Sequence, residues 1–184
     1  MLMVRTTLYV LAGLLLGLAI HLVVILTLPG LASNNVAARL ATLGQLNKTV
    51  LLADVAPGAA NPLRLDPELS YAICRLDLKG GPGEVSGVLP LAFWSVAVYD
   101  NSGTVLYSTT NRDGIGQNLD LGIFDVAQTR LLAEQKIDVA AGLLIVETKT
   151  DDVFVVVRLA PPQPAVRDRY AAQLTKLACR NLKT

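Results

Sequence analysis

Val153-Phe154-Val155-Val156-Val157, running on to Leu159, is apolar at both strand parities. A strand with one face in water alternates apolar and polar residues. One that does not alternate belongs in the middle of a sheet, covered on both sides. Pro161, Pro162 and Pro164 end this run, because proline has no N–H to give a ladder. Upstream, Leu143 to Lys149 reads as its hairpin partner across Thr150-Asp151-Asp152. Downstream, a helix is predicted from about Ala165, with Val166, Tyr170, Leu174 and Leu177 facing inward.

Further strands precede this core. Ser70 to Leu78 alternates, with Tyr71, Ile73, Arg75 and Asp77 on one side and Ala72, Cys74, Leu76 and Leu78 on the other. Gly80-Gly81-Pro82-Gly83 turns the chain into Glu84 to Leu89, and Phe93 to Asp100 follows. Asn101-Ser102-Gly103 is a hairpin loop, with Gly103 placed for the left-handed position, and Thr104 to Thr109 returns. Such close spacing predicts an antiparallel meander. Asn111 to Gly122 reads as a loop with a short strand near Leu119. Asp125 and Gln128 have capping-box spacing and open a helix to about Glu134. The fold class expected is α+β and mainly β, an antiparallel sheet or sandwich-like domain with flanking helices.

One transmembrane helix is expected ahead of that domain. Leu8 to Leu28 holds no acid, lysine or arginine. At about 1.5 Å per residue it reaches roughly 31 Å, enough to cross the hydrocarbon core of a bilayer. It exceeds the apolar centre of a signal peptide, and Thr27 to Ser33 offers no clean A-x-A cleavage site. Arg5 flanks its start, and no basic residue follows until Arg39, so the N-terminus is expected inside and the body exported. Gly13 and Gly17 form G-x-x-x-G, a spacing that admits a second helix, although a Gly-rich span contains it by chance as readily. His21, the only histidine, could be a proton site or a helix-pairing group. Without an acidic companion it is more often simply tolerated.

The organisation expected is therefore a cytoplasmic N-terminus (1–7), an anchor (8–28), an amphipathic helix and Pro-rich connector (29–69), and a β-rich domain with a C-terminal helix (70–184). Ser33, Asn34 and Asn35 offer caps for the amphipathic helix, whose stripe is Val36, Leu40, Leu43, Leu46 and Val50, to about Thr49. Pro57, Gly58, Pro62 and Pro67 then make an extended connector.

Composition excludes several function classes. The net charge of +1 arises from 16 basic and 15 acidic residues, and Arg5 lies outside the exported part, which is formally neutral. No basic run is present, so nucleic acid is not expected as a partner, and a membrane-surface role has no polybasic segment behind it. With its only histidine in the span, the domain has no imidazole for a Ser-His-Asp or Cys-His system and too few ligands for zinc. Neither Gly81-Pro82-Gly83 nor Gly114-Ile115-Gly116 is a nucleotide-binding signature. Asp151 and Asp152 are read as a solvated turn rather than a calcium site. No metal or cofactor is expected.

Cys74 and Cys179 are an even pair, which in an oxidising compartment reads as a disulfide. Were the last helix ideal to Arg180, Cys179 would point away from its apolar face. The bridge therefore requires that helix to end near Leu177; the alternative is two buried, inert thiols. The polar residues left as ligand-binding candidates are Arg75, Asp77, Tyr99, Asp100, Tyr107, Asn111 and Arg112. Arg75 and Asp77 share a strand face and must find partners if it is covered, because unpaired buried charge is costly. The bland reading is a structural ion pair beside a polar loop. Trp94 reads as core or rim. No residue is assigned as catalytic, although a carboxylate hydrolase using Arg75, Asp77 and Asp100 is conceivable.

Asp66-Pro67, Ala72-Ile73-Cys74-Arg75-Leu76-Asp77-Leu78, Gly81-Pro82, Phe93-Trp94-Ser95-Val96-Ala97-Val98-Tyr99-Asp100 and Asn111-Arg112 together resemble a bacterial envelope family. It is the domain of unknown function 1254 family, in its short, single-anchor form, and the likeness extends from about Ser33 to the C-terminal cysteine. The resemblance implies a β-rich domain outside a bacterial inner membrane and carries over no catalytic residue. Function is thus expected to be that of a membrane-anchored periplasmic binding or interaction module. Its partners would be the membrane and an envelope protein or a second copy. A small envelope enzyme is the alternative.

Overall fold

The computed structural model describes residues 2–31, 36–56, 58–113, 116–135 and 142–182. The proposed caps Ser33, Asn34 and Asn35, together with Pro57, Gly114 and Ile115, lie outside them. The chain divides into two compact units, Met1–Asn35 and Val36–Thr184. The first holds α1 (Leu2–Leu31), in which Met3–Leu28 is long and apolar enough to cross a membrane, with a mean hydropathy of 2.6. The Thr7 and Thr27 hydroxyls donate to the carbonyls of Met3 and Val23, one turn earlier, which satisfies both without a partner helix.

The second unit contains α2 (Val36–Leu43), β1 (Thr49–Leu51), β2 (Ser70–Asp77), β3 (Gly83–Val88), β4 (Phe93–Asp100), β5 (Val105–Thr110), β6 (Asn118–Asp125), α3 (Val126–Gln135), β7 (Leu144–Thr148), β8 (Asp152–Ala160), α4 (Arg167–Leu174) and β9 (Ala178–Asn181). They form a five-stranded sheet, β1-β2-β8-β4-β5, and a four-stranded sheet, β7-β6-β3-β9. The fold is α+β with two largely antiparallel sheets. β8 is central as its composition requires, with Val155 opposite Cys74 on one side and Val98 on the other.

Its expected hairpin partner is elsewhere. β7 runs parallel to β6 in the second sheet, and β8 lies in the first. β7 buries only Val146 and Thr148, the pattern of an edge strand, whereas β8 needs neighbours on both sides. Thr148 turns the chain between them by accepting the Thr150 N–H at its hydroxyl. The meander also fails except for the β4–β5 hairpin, where Gly103 has a φ of 87°. β2 and β3 belong to different sheets. Asp77 caps a 3-10 turn at Leu78–Gly80 instead of a hairpin. Gly81 then crosses over at a φ of 121°, where a Cβ would sit 2.5 Å from the Leu182 carbonyl oxygen.

The two sheets close over one core. Ala72, Cys74, Leu76, Trp94, Val96, Val98, Val153, Val155, Val157 and Leu159 from the first sheet meet Val85, Leu119, Leu121, Ile123, Val146 and Cys179 from the second. Trp94 is core. β6 is a full eight-residue strand rather than a short one near Leu119, because Leu119, Leu121 and Ile123 on its inner parity are apolar while Asp120 and Gly122 mask it in sequence. The capping box does form: the Gln128 N–H donates to Asp125 Oδ1 at 2.7 Å and the Asp125 N–H to Gln128 Oε1 at 2.9 Å.

α4 stops at Leu174, earlier than expected. Leu177 is still buried, but outside the helix, and Cys179 lies on β9 opposite Val85 of β3. There it is bonded to Cys74, so the bridge joins the two sheets.

A second cluster covers the outer face of the first sheet. It contains Leu40, Leu52, Tyr71, Ile73 and Phe154, with Leu63, Leu65, Leu69, Tyr99 and Val156 against it. The helix expected to reach Thr49 ends at Leu43, and Leu43 and Leu46 are exposed. A Cβ at Gly44 would already lie 3.4 Å from Arg75 Cβ, and Thr49 joins β1 instead. The Pro-rich segment is tied to the sheet. Asn61 brackets Leu65 through both its side-chain oxygen and nitrogen, and the Asp66 N–H donates to Tyr71 Oη at 3.0 Å.

Because this outer cover is real core, Phe154→Ala should cost about 3–5 kcal/mol in denaturant unfolding of the full chain, the range for a buried aromatic. Ile145→Ala, at an exposed edge position, should change stability by less than about 0.5 kcal/mol. Equal effects would contradict the two-sided burial of β8.

Candidate functional site

Register sets which candidates meet. Across β2, β8 and β4, Arg75, Phe154 and Tyr99 form one row on the outer face, and Asp77 and Asp152 form the next. Arg75 donates from Nε to Asp152 Oδ1 at 3.0 Å and from Nη2 to Oδ2 at 2.9 Å, a two-point pairing that fixes the guanidinium plane. Its Cζ lies 5.6 Å from the Phe154 ring centroid. That hydrogen-bonded partnership raises the affinity of Arg75 for its proton, against a smaller opposing effect of burial. Lys79 stands 3.7 Å from Asp151. Leu46, Arg75, Asp77, Lys79 and Asp152 line an open groove of about 310 Å³.

Asp152 and Lys79 were absent from the sequence candidates. The signal for Asp152 was the demand of Arg75 for a partner, but its position depends on pairing between strands 77 residues apart. Asp77 is occupied locally, accepting the Lys79 N–H at 3.1 Å.

Asp100 does not join them. It pairs in register with Val153, the opposite parity from Asp77 and Asp152, and two strands from β2. Its Oδ1 accepts the Ser102 N–H, the Ser102 hydroxyl and the Thr104 N–H at 2.9, 2.6 and 2.8 Å, so the carboxylate is the frame of the hairpin loop. Burial pushes its pKa up, but these hydrogen bonds outweigh it and hold the group below the ordinary carboxylate range. Tyr99 packs into the outer cluster and Tyr107 against the inner one.

Asn111 and Arg112 lie at the other end of the sandwich, a β4 length or about 23 Å away. The Asn111 N–H donates to the Trp94 carbonyl at 3.2 Å and its Nδ2 to that of Ala92 at 3.1 Å. Arg112 stacks 5.7 Å from the Phe93 ring centroid. Of the seven candidates, the fold brings together Arg75, Asp77 and Tyr99 on one face and disperses the rest. No group of three potential metal ligands occurs among the described residues.

No protein-family model matches the chain, and no curated protein matches it. Among solved structures it is similar to the VPA0106 protein from Vibrio parahaemolyticus, at a TM-score of 0.55 and 13% identity over 84% of this chain and 34% of that one. An uncharacterized protein from Burkholderia cenocepacia matches at a TM-score of 0.43 and 13% identity over 77% of this chain and 36% of that one. The chain thus spans about a third of the length of each. At this identity the first likeness concerns the fold alone.

The loop role of Asp100 has a measurable pH signature. Its folded pKa is below its unfolded value of about 3.9, so its stabilisation is present above that value and lost as pH falls through the folded pKa. Asp100→Asn should lower the thermal midpoint at pH 7 and flatten its decline below about pH 4. A variant profile parallel to that of the unsubstituted protein would remove the carboxylate from this role.

Proposed function

We propose that this chain is an exported, membrane-anchored and non-catalytic binding module of a bacterial envelope. We further propose that it is a short relative of the domain of unknown function 1254 family, with its folded unit in the periplasm. The apolar span with Arg5 before it supports the anchor and its direction. The bonded cysteines support export, because such bonds persist in oxidising compartments. In this reading the span can also pair with a second copy through Gly13 and Gly17, where an added Cβ would meet nothing within 4 Å.

One observation carries the non-catalytic part: the acids are engaged by the fold. Asp152 is paired with Arg75, Asp77 caps a turn and Asp100 frames a loop. A hydrolase of the Arg75–Asp77–Asp100 type requires a raised carboxyl beside an ionised one facing a common substrate. Here Asp77 and Asp100 have opposite strand parity, and the Asp100 carboxyl is lowered.

Complementation of a deletion strain separates the two classes. Full-length protein carrying both Asp77→Asn and Asp100→Asn should rescue the deletion strain as the unsubstituted protein does, provided thermal unfolding confirms that it folds. Loss of complementation by a folded double variant would favour the enzyme and sink the module reading.

A further inference from the structure

The loop between β3 and β4 presents an unusual surface. No charged residue occurs between Glu84 and Asp100. Within this stretch Val88, Leu91 and Phe93 are 64%, 83% and 47% exposed. They are held out rather than left loose. Leu89 is buried between them, its N–H donating to the Gln117 carbonyl at 2.8 Å, and the Ala92 N–H donates to Pro90 at 2.7 Å. The bond from Asn111 Nδ2 to Ala92 pins the loop a third time. Two arginines flank it, each stacked on an aromatic ring: Arg112 over Phe93 and Arg169 over Tyr170, at 5.7 Å. Between loop and α4 lies an open groove of about 410 Å³, lined by Val88, Leu89, Pro90, Gln117, Arg169, Tyr170 and Gln173.

Apolar tips flanked by guanidinium groups fit a lipid–water interface, where alkyl groups enter the headgroup layer and cations meet phosphates. The path of α2 points to the same occupant. At its C-terminal end Gly44 lies against Arg75 and Ile73, whereas Leu40, a turn earlier, packs in the cluster with Tyr71 and Leu52. α2 therefore begins toward the Ser70 end of the sheet, the end that carries this loop, since Ser70, Leu159 and Trp94 are register partners. In sequence, only residues 32–35 lie between α1 and α2. The opposite end bears Asp77, Asp100, Asp151 and Asp152, with Arg75 paired to Asp152 and Lys79 beside Asp151.

We infer that the Val88–Phe93 loop is a membrane-docking surface: Val88, Leu91 and Phe93 enter the headgroup layer of the bilayer that the chain is anchored in, and Arg112 and Arg169 bind its anionic phosphates. This rests on the anchored reading above, and no polybasic run is needed because the fold brings together Arg112 from the loop after β5 and Arg169 from α4.

The test uses the full chain carrying Leu91→Cys, labelled with the environment-sensitive fluorophore NBD, Cys74 and Cys179 being bonded to each other. It is reconstituted in phosphatidylglycerol–phosphatidylcholine vesicles, with Val88→Cys as a second position and Ser102→Cys, at the opposite end, as control. Flotation with the vesicles reports anchoring; quenching by nitroxide-bearing lipids reports docking. The label at 91 and at 88 should be quenched severalfold more than at 102. Adding Arg112→Glu and Arg169→Glu should reduce that quenching in the anionic vesicles. Protein that floats but shows equal quenching at 91, 88 and 102 would overturn the docking surface and leave the anchor intact, as would a surface reserved for a protein partner. Protein that does not float would overturn the anchor and the docking with it.

Discussion

Cys74 and Cys179 are joined across the middle of the molecule, 105 positions apart in the chain. Cys74 sits on β2 of the five-stranded sheet and Cys179 on β9, the last strand of the other. β9 has four residues and one strand neighbour, β3, so its backbone pairing alone is slight. The bond fixes it, and with it the preceding stretch, where Leu174 and Leu177 fill the core and Thr49 donates its hydroxyl to the Leu177 carbonyl at 2.8 Å. In the chain-entropy description, closing a loop of this length contributes about 4–5 kcal/mol. Against a total stability of about 5–15 kcal/mol for a domain, that is a large share. Bonds of this kind persist mainly in oxidising compartments.

How much of this was legible depends on the range of the interaction. The central position of β8 follows from Val153 to Val157 alone, because apolar side chains on both parities need cover on both faces. The capping box of Asp125 and Gln128 and the left-handed Gly103 are equally local, and both were readable. Strand partners were not. β8 pairs with β2, some eighty residues earlier, while its sequence neighbour β7 goes to the other sheet. Nothing in a short loop such as Thr150-Asp151-Asp152 distinguishes a hairpin from a crossing between layers. β6 was hidden for another reason: Asp120 and Gly122 occupy the outward parity and give it the composition of a loop. The leucines at 63, 65 and 69 were similarly obscured by prolines, although they cover the outer face of β2 and β8.

The candidate site shows the same division. Arg75 on a covered face had to be paired, and it is, but only the register of β2 on β8 supplies Asp152. Asp77, Asp100, Asn111 and Arg112 read as a polar set because they all fall at strand ends. Strand ends alternate between the two ends of a sandwich, so half of that set is carried some 23 Å from the other half, about one strand length. This separation also gives the molecule its polarity. Aspartates with local hydrogen-bonding duties stand at one end, and an apolar loop between stacked arginines stands at the end where α2 begins. That arrangement keeps Asp77 and Asp100 from facing a common site.

The measurement that bears most directly on this account is thiol labelling in intact cells. A reagent unable to cross the inner membrane is applied before and after a reductant confined to the outer side, and the protein is denatured only after its membranes are isolated. The account predicts that Cys74 and Cys179, both buried in the folded unit, label only after reduction, when loss of the bond lets that unit open toward the reagent. Free labelling without reductant would contradict the bridge that closes the two sheets. Labelling that requires a reductant and reagent able to cross the inner membrane would contradict the export of the folded unit.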